Sequence, residues 1–246
     1  MARTDQDERR GELTDAASGR RRPRRGRIAA AVGILGELLI TAGVIMALFV
    51  VYSLWWTNVL ADREAKKQGD RVRRQWAQQE GPGRLDTKDG IGFLHVPAMD
   101  NGEVLVKKGT STATLNDGVA GYYTKPVKSA MPWDKKGNVT LAAHRDGHGA
   151  KFHNIDKLGK GDAIVFETRD TWYVYKVFAE LPETSKFNVG VLSPVPKGSG
   201  KKKAGRYITL STCTPVYTSL HRYIVWGELV RTEKVDADRT PPKELR

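Results

Sequence analysis

The segment Arg206-Tyr-Ile-Thr-Leu-Ser-Thr-Cys213-Thr-Pro215-Val-Tyr-Thr-Ser-Leu-His-Arg222-Tyr-Ile-Val-Trp-Gly-Glu-Leu229 has the pattern strand, loop, strand. β-Branched and aromatic residues dominate both of its ends, and such residues favour extended structure. Pro215 ends the first strand just after Cys213. An antiparallel return of the chain would bring the Arg222 guanidinium beside the thiol. A fixed cation favours the thiolate, which is the nucleophilic form of cysteine.

The composition limits the classes of protein to consider. The chain has 246 residues and one cysteine, so neither an intramolecular disulfide nor a four-cysteine zinc site is possible. The net charge of +13 predicts attraction to anionic surfaces such as phospholipid or acidic wall polymers. We expect no nucleic-acid partner, because the densest arginine cluster adjoins an apolar segment.

The N-terminal part predicts a membrane anchor. Residues 1–27 are a polar, basic tail that ends in six arginines within eight residues. Residues 28–56 are apolar, with Glu37 as their single charge, and exceed the ~20 residues that a spanning helix needs. The arginine-rich flank predicts a cytoplasmic N-terminus and an extracellular domain. A cleaved signal peptide is the alternative, but this segment is too long for one and ends in bulky aromatics.

The rest of the chain divides by composition. Residues 57–88 are charged and glutamine-rich, which predicts a helical extracellular stalk that holds the domain clear of the membrane, with a break at Gly81-Pro82-Gly83. Residues 89–234 form the predicted catalytic domain and residues 235–246 a C-terminal tail. An exported protein with a single cysteine is expected to carry an intermolecular disulfide or a reactive thiol. The alternative is a buried, inert cysteine.

The folded domain is predicted to be mostly β. Besides the two strands named above, short strands are predicted in five segments: 91–97, 103–106, 138–144, 162–167 and 171–181. Residues 151–158 have helical spacing, and residues 182–205 are predicted as a long loop. Many short strands with one or two short helices predict a closed or nearly closed β-barrel.

His144 stands at the end of a predicted strand. On its own such a histidine is more often a hydrogen-bonded structural residue than a catalytic one. Together with His148 and His153 it could suggest a metal site, but these residues are separated by a glycine-rich loop with no acidic or cysteine ligand in phase. We therefore predict no metal.

Three separated motifs resemble those of sortases, the cysteine transpeptidases of Gram-positive cell surfaces. Thr209-Leu-Ser-Thr-Cys213, followed by Arg222, is similar to the sortase signature. Ala143-His144-Arg145, followed by Lys151-Phe152 where the family has Pro-Phe, resembles the actinobacterial class E branch. The anchor run Gly36-Glu-Leu-Leu-Ile40 does so too. The resemblance implies a sortase-type barrel of about eight strands, preceded by one transmembrane helix.

The resemblance also implies a mechanism. Cys213 would cleave the Thr–Gly bond of a C-terminal Leu-Ala-x-Thr-Gly or Leu-Pro-x-Thr-Gly sorting signal through a thioester. His144 would transfer protons, Arg222 would stabilise the oxyanion, and no cofactor would be consumed. Thr212 and Tyr122, with Tyr123 as its rival, are assigned to substrate binding. The implied partners are secreted proteins with sorting signals, the amine of a peptidoglycan precursor as acceptor, and the membrane.

Two other functions remain compatible with the residues. A membrane-tethered cysteine hydrolase would use the same thioester and transfer it to water. A non-catalytic surface binding module would need no reactive thiol at all.

Overall fold

The computed structural model describes residues 25–78 and 90–246. The predicted tail residues 1–24 and the predicted break at Gly81-Pro82-Gly83 lie outside the described residues. The described residues divide into two compact units, one that ends at Phe49 and one that begins at Val50. Helix α1 spans Arg25–Gln78, and it is the one helix in the described chain that is long and apolar enough to cross a membrane. The apolar side chains of its first half are exposed, which is consistent with a single-pass membrane anchor.

The second unit contains a closed barrel of eight strands. The strands are β1 (Gly92–His95), β2 (Glu103–Lys108), β3 (Ala120–Tyr122), β4 (Gly137–Ala142), β5 (Ala163–Glu167), β6 (Thr171–Ser185), β7 (Arg206–Thr214) and β8 (His221–Lys234). Their order around the barrel is β1-β2-β3-β4-β7-β8-β6-β5. The pairs β2–β3 and β4–β7 are parallel, and the other pairs are antiparallel. The predicted barrel is therefore confirmed.

Short helices connect the strands. α2 spans Thr112–Leu115, and single 3-10 turns occupy Pro97–Met99, Ile155–Lys157, Val189–Leu192 and Lys243–Leu245. The helix predicted at residues 151–158 is only a series of turns that ends in a 3-10 helix. Its predicted apolar face is nevertheless real, because Phe152, Ile155 and Leu158 are all buried in the barrel core.

The second half of α1 packs on the barrel. Its buried positions follow helical spacing along one face: Ala61, Ala65, Gln68, Gly69, Val72 and Trp76. Val72 and Trp76 share an apolar cluster with Phe93 of β1, and the Trp76 and Phe93 rings meet edge to face at 5.3 Å. Residues predicted as a stalk thus contribute to the packing of the barrel, a contact that the polar composition did not reveal.

The predicted loop 182–205 is shorter than expected. β6 continues to Ser185 and pairs with β8 as far as Ser185 and His221. The ladder shifts register between Leu181 and Thr184. The irregularity accommodates Pro182, which has no N–H to donate to a ladder. Residues 182–185, which we predicted at the start of the loop, are therefore part of a strand.

Candidate active site

Cys213 and Arg222 face each other across neighbouring strands. β7 and β8 pair antiparallel, and Cys213 lies directly opposite Arg222 in the ladder. The Arg222 guanidinium donates hydrogen bonds to the backbone oxygens of His221, at 2.9 Å, and Ser219, at 3.3 Å. These bonds hold the cation at the start of β8, next to the strand that carries the thiol.

His144 reaches the same place from β4. The parallel register of β4 and β7 aligns Ala142 with Ser211. Two residues further along the chain are His144, just beyond the end of β4, and Cys213, which is still in β7. Both line a cavity of about 910 Å³, and Arg222 lines it too. The three residues singled out from the sequence therefore share one cleft.

Side-chain bonds fix the ends of β4 and β7. The hydroxyl of Thr212 is buried and donates to the Ala143 backbone oxygen at 2.7 Å. The buried guanidinium of Arg145 donates to the Thr214 hydroxyl at 3.0 Å and to the Cys213 backbone oxygen at 3.5 Å. The residues before and after His144 are thus bonded to those before and after Cys213.

The surroundings of His144 favour the neutral imidazole. Burial lowers its pKa, and the nearby His148 lowers it further, while Asp146 acts in the opposite direction. Nε2 of His144 donates to Oδ1 of Asn116 at 2.9 Å. This bond leaves Nδ1 as the nitrogen that can exchange a proton with a substrate.

A thiol, an imidazole and a guanidinium in one cleft are suited to acyl transfer. The thiol can attack a carbonyl carbon, the imidazole can move protons, and the guanidinium can stabilise an oxyanion. Comparison with known proteins identifies the family. Residues 94–230 match the sortase domain.

The chain belongs to the sortase family. It is 70% identical to sortase SrtE2 of Streptomyces coelicolor, over the whole of both chains. It is 47% identical to sortase SrtE1 of the same organism, over 80% of this chain and 56% of that one. The crystal structure of sortase E1 from Streptomyces coelicolor, solved with a tripeptide in its active site, superimposes with a TM-score of 0.61. It is 46% identical and covers 64% of this chain and 96% of that chain.

These relatives place the protein with the class E sortases. Sortases are cysteine transpeptidases that act on proteins bearing sorting signals, and their known role is to anchor proteins to the cell wall. The motif resemblance noted in the sequence is therefore confirmed at the level of the family and of the enzyme class.

The two tyrosines of this sortase lie in different surroundings. Tyr122 is buried in the barrel core and does not line the cleft. Tyr123 does line the cleft and bonds to the Ser211 side chain. Burial raises the pKa of the Tyr123 phenol, and that bond partly offsets the rise. Of the two tyrosines considered for substrate binding, Tyr123 is therefore the one that lines the cleft.

Thr212 lines the cleft, but its hydroxyl is already bonded within the protein. Asp146 supports the opposite rim, because its carboxylate accepts a 2.6 Å hydrogen bond from the backbone of Tyr217. Sequence reasoning missed Arg145, Asp146 and Asn116 as parts of the site. Arg145 and Asp146 follow His144 directly in the chain, and this proximity was the signal that could have identified them. Nothing in the sequence indicated Asn116.

His148 and His153 do not join His144 in a cation site. Nδ1 of His153 is bonded to the Arg145 backbone oxygen at 2.8 Å, and the His148 ring lies 5.5 Å from that of His144, centroid to centroid. His148 and His153 therefore belong to the segment that follows His144 in the chain.

Proposed function

We propose that this sortase cleaves the Thr–Gly bond of a C-terminal sorting signal and transfers the new acyl group to a cell-wall amine. The observation that carries the proposal is the placement of Cys213 beside His144 and opposite Arg222 in one cleft. The tripeptide in the active site of the related sortase E1 supports a peptide substrate.

The first half-reaction forms a thioester. The Cys213 thiol passes its proton to the neutral imidazole of His144, and the resulting thiolate attacks the threonyl carbonyl carbon. The negative charge that develops on the carbonyl oxygen lies next to the Arg222 guanidinium. The C–N bond then breaks, and the leaving glycine nitrogen takes a proton from His144. The neutral imidazole and the thioester remain.

The second half-reaction reverses these proton movements. An incoming amine attacks the thioester carbon, His144 accepts the proton that the amine loses, and the Cys213 thiolate leaves. No electrons are exchanged and no cofactor is consumed. The product is an amide between the threonyl carboxyl group and the acceptor.

We assign the anchoring to the first half of α1. Its exposed apolar surface fits a bilayer, and the arginines that precede residue 28 predict a cytoplasmic N-terminus. The catalytic barrel then faces the outside, where the lipid-linked wall precursor that provides the acceptor amine would be accessible.

Product analysis tests the proposal directly. The full-length protein in detergent micelles is incubated with Leu-Ala-x-Thr-Gly and Leu-Pro-x-Thr-Gly peptides, with and without a panel of primary amines, and the products are identified by mass spectrometry. We expect amide products when an accepted amine is present, and none with Cys213→Ala. Hydrolysis alone in the presence of every amine would instead identify a cysteine hydrolase. No cleavage of either peptide would overturn the proposal.

A further inference from the structure

The backbone on either side of His144 is tied to β7, but its imidazole contacts two loops. His144 lies two residues beyond the end of β4, between two loops. The first loop, residues 116–118, provides Asn116, whose Oδ1 accepts the hydrogen bond from His144. The second loop, residues 147–151, follows His144 in the chain and includes His148. The place of the imidazole in the cleft therefore depends on what fixes these two loops.

Helix α1 fixes the first loop. The backbone of Ala61 packs so closely on Gly118 that a Cβ there would lie 2.9 Å from the Ala61 carbonyl oxygen. Nε2 of the buried Gln68 donates to the Asp117 carboxylate at 3.2 Å. Nζ of Lys107 joins both, at 2.6 Å from Gln68 and 2.9 Å from Asp117. Burial would raise the pKa of Asp117, but the bonds from Lys107 and Gln68 keep it lowered.

The same helix fixes the second loop. Oδ1 of Asn58 accepts a hydrogen bond from the backbone N–H of Gly149 at 2.9 Å. One turn later, Asp62 forms a 2.8 Å ion pair with Lys151. Gly149 has a φ of +81°, and a Cβ there would lie 2.9 Å from the Asp62 carboxylate. A larger residue would therefore push the helix and the loop apart.

These contacts come from one face of one helix. Asn58, Ala61, Asp62 and Gln68 follow each other at helical spacing, and the face continues into Val72, which packs on the barrel. A helix anchored in this way presents both loops with a rigid support.

We infer that residues 58–68 of helix α1 are a positioning element of the active site, which holds the two loops on either side of His144 and thereby the imidazole itself. This inference rests on the proposed function, in which His144 transfers the protons. The helix touches neither the thiol nor the substrate cleft, and it acts through Asn116 and the 147–151 loop. A small displacement of a reacting group costs far more in rate than in binding, so the effect belongs in kcat.

The test compares two kinds of anchor on the same helix. Gln68→Ala and Asn58→Ala each release one loop. Arg73→Gln is the matched control, because Arg73 also anchors α1 through hydrogen bonds but binds Glu167 and Glu103, on strands that carry no residue of the site. All variants are made in the full-length protein in micelles. The readouts are kcat and KM for peptide transfer and the titration of His144 by NMR, in a chain with only five histidines.

We expect Gln68→Ala and Asn58→Ala to lower kcat by about tenfold with little change in KM. The pKa of His144 should rise towards its ordinary value, because burial is the main cause that lowers it. The other ionisable groups around it remain in all variants: His148 beside it and, in the cleft, Tyr123, Arg145, Asp146, Lys186, Cys213, Tyr217 and Arg222. Arg73→Gln should leave both readouts at their wild-type values.

Two outcomes would overturn the inference. An equal loss of kcat in Arg73→Gln would show that the helix only stabilises the barrel. An unchanged His144 titration in Gln68→Ala and Asn58→Ala would show that the loops hold the imidazole without it. If the wild-type protein transfers no peptide, the proposed function fails, but the titrations still decide whether the helix positions His144.

Discussion

Two polar clusters of this sortase both combine histidine with arginine, but they differ in how their side chains are paired. In the cleft, His144 has a neutral amide partner and a half-buried position beside the thiol. In the second cluster, the buried Glu167 is bonded by His95, Arg73 and Arg239 at once. The second cluster involves β1, β2 and β5, which β3 and β6 separate from the strands of the cleft.

The difference lies in how completely each cluster is paired. Burial alone would raise the pKa of Glu167, but its bonds to His95 and to Arg73, with Arg239 beyond them, lower it to about 2. With Glu103 close by, His95 and Glu167 resemble a cation site by distance alone. The guanidinium groups of Arg73 and Arg239 already neutralise the Glu167 carboxylate, which disfavours a metal ion at this position. His95, Arg73 and Arg239 are thus bonded to Glu167 and stabilise the fold. In the cleft, by contrast, the thiol of Cys213 and the imidazole of His144 face a cavity.

The largest effect is expected for Cys213→Ala. It removes the only thiol of the chain, so neither the thioester nor the transfer product should form. Mass spectrometry of the protein after incubation with the sorting peptide checks for the acyl adduct. The thermal unfolding midpoint should stay near that of wild type, because Cys213 is not part of the core. Turnover by a folded Cys213→Ala protein would rule out the cleft as the active site.

Arg222→Ala should lower kcat by about 10²- to 10³-fold if the guanidinium stabilises the oxyanion. Arg222→Lys keeps the charge but loses the planar fork of donors, and it should recover only part of the activity. Steady-state transfer assays with both variants provide the measurement. Near-normal kcat in Arg222→Ala would remove this residue from the mechanism and leave the oxyanion to backbone donors.

The sequence predicted the cleft well for a geometric reason. Cys213 and Arg222 lie nine residues apart across one hairpin, so local strand pairing alone brings them together. His144 was assigned by family resemblance, and the parallel pairing of β4 with β7 that brings it to the cleft was not predicted.

The contacts that spacing could not predict are those between distant segments. Glu167 pairs with Arg73, 94 residues away, and Gln68 pairs with Asp117, 49 residues away. The polar composition of residues 57–88 concealed the buried stripe of α1, because Gln68 and Gly69 occupy two of its positions. The short strand β3 was missed for a related reason, since its three residues are held by a parallel partner, β2, and by β4.

Glu167→Gln should weaken the fold and spare the chemistry. It leaves the Arg73 and Arg239 cations without their shared anion, at a cost of about 2 kcal/mol, since both guanidinium groups are about one-third exposed. The unfolding midpoint, followed by tryptophan fluorescence, should fall by several degrees, while kcat at 25 °C stays near wild type. A loss of kcat without a loss of stability would mean that the second cluster takes part in catalysis.

The same substitution predicts a pH dependence. The pKa of Glu167 is lowered on folding, so its stabilising contribution is complete above the unfolded-state value of about 4.5 and is lost as the pH falls towards 2. The difference in unfolding midpoint between wild type and Glu167→Gln should therefore be constant from pH 7 to about 5 and shrink below that. A difference that is independent of pH would show that the carboxylate is not responsible.

The smallest effect concerns the choice between alanine and proline at the second position of the sorting signal. Alanine carries a backbone N–H that proline lacks, and a tyrosine hydroxyl can accept a hydrogen bond from it. Tyr123 lines the cleft and Tyr122 is buried in the core, so the hydroxyl in question is that of Tyr123. A net hydrogen bond of about 0.5–1.5 kcal/mol corresponds to a roughly two- to tenfold preference for Leu-Ala-x-Thr-Gly. Tyr123→Phe should remove most of that preference, measured as the ratio of kcat/KM for two peptides that differ only at this position. Tyr122→Phe is the matched control and should leave the ratio unchanged, because its ring packs among the core side chains. If instead Tyr122→Phe lowers the ratio and Tyr123→Phe does not, the selectivity depends on the shape of the barrel core and not on a hydroxyl in the cleft.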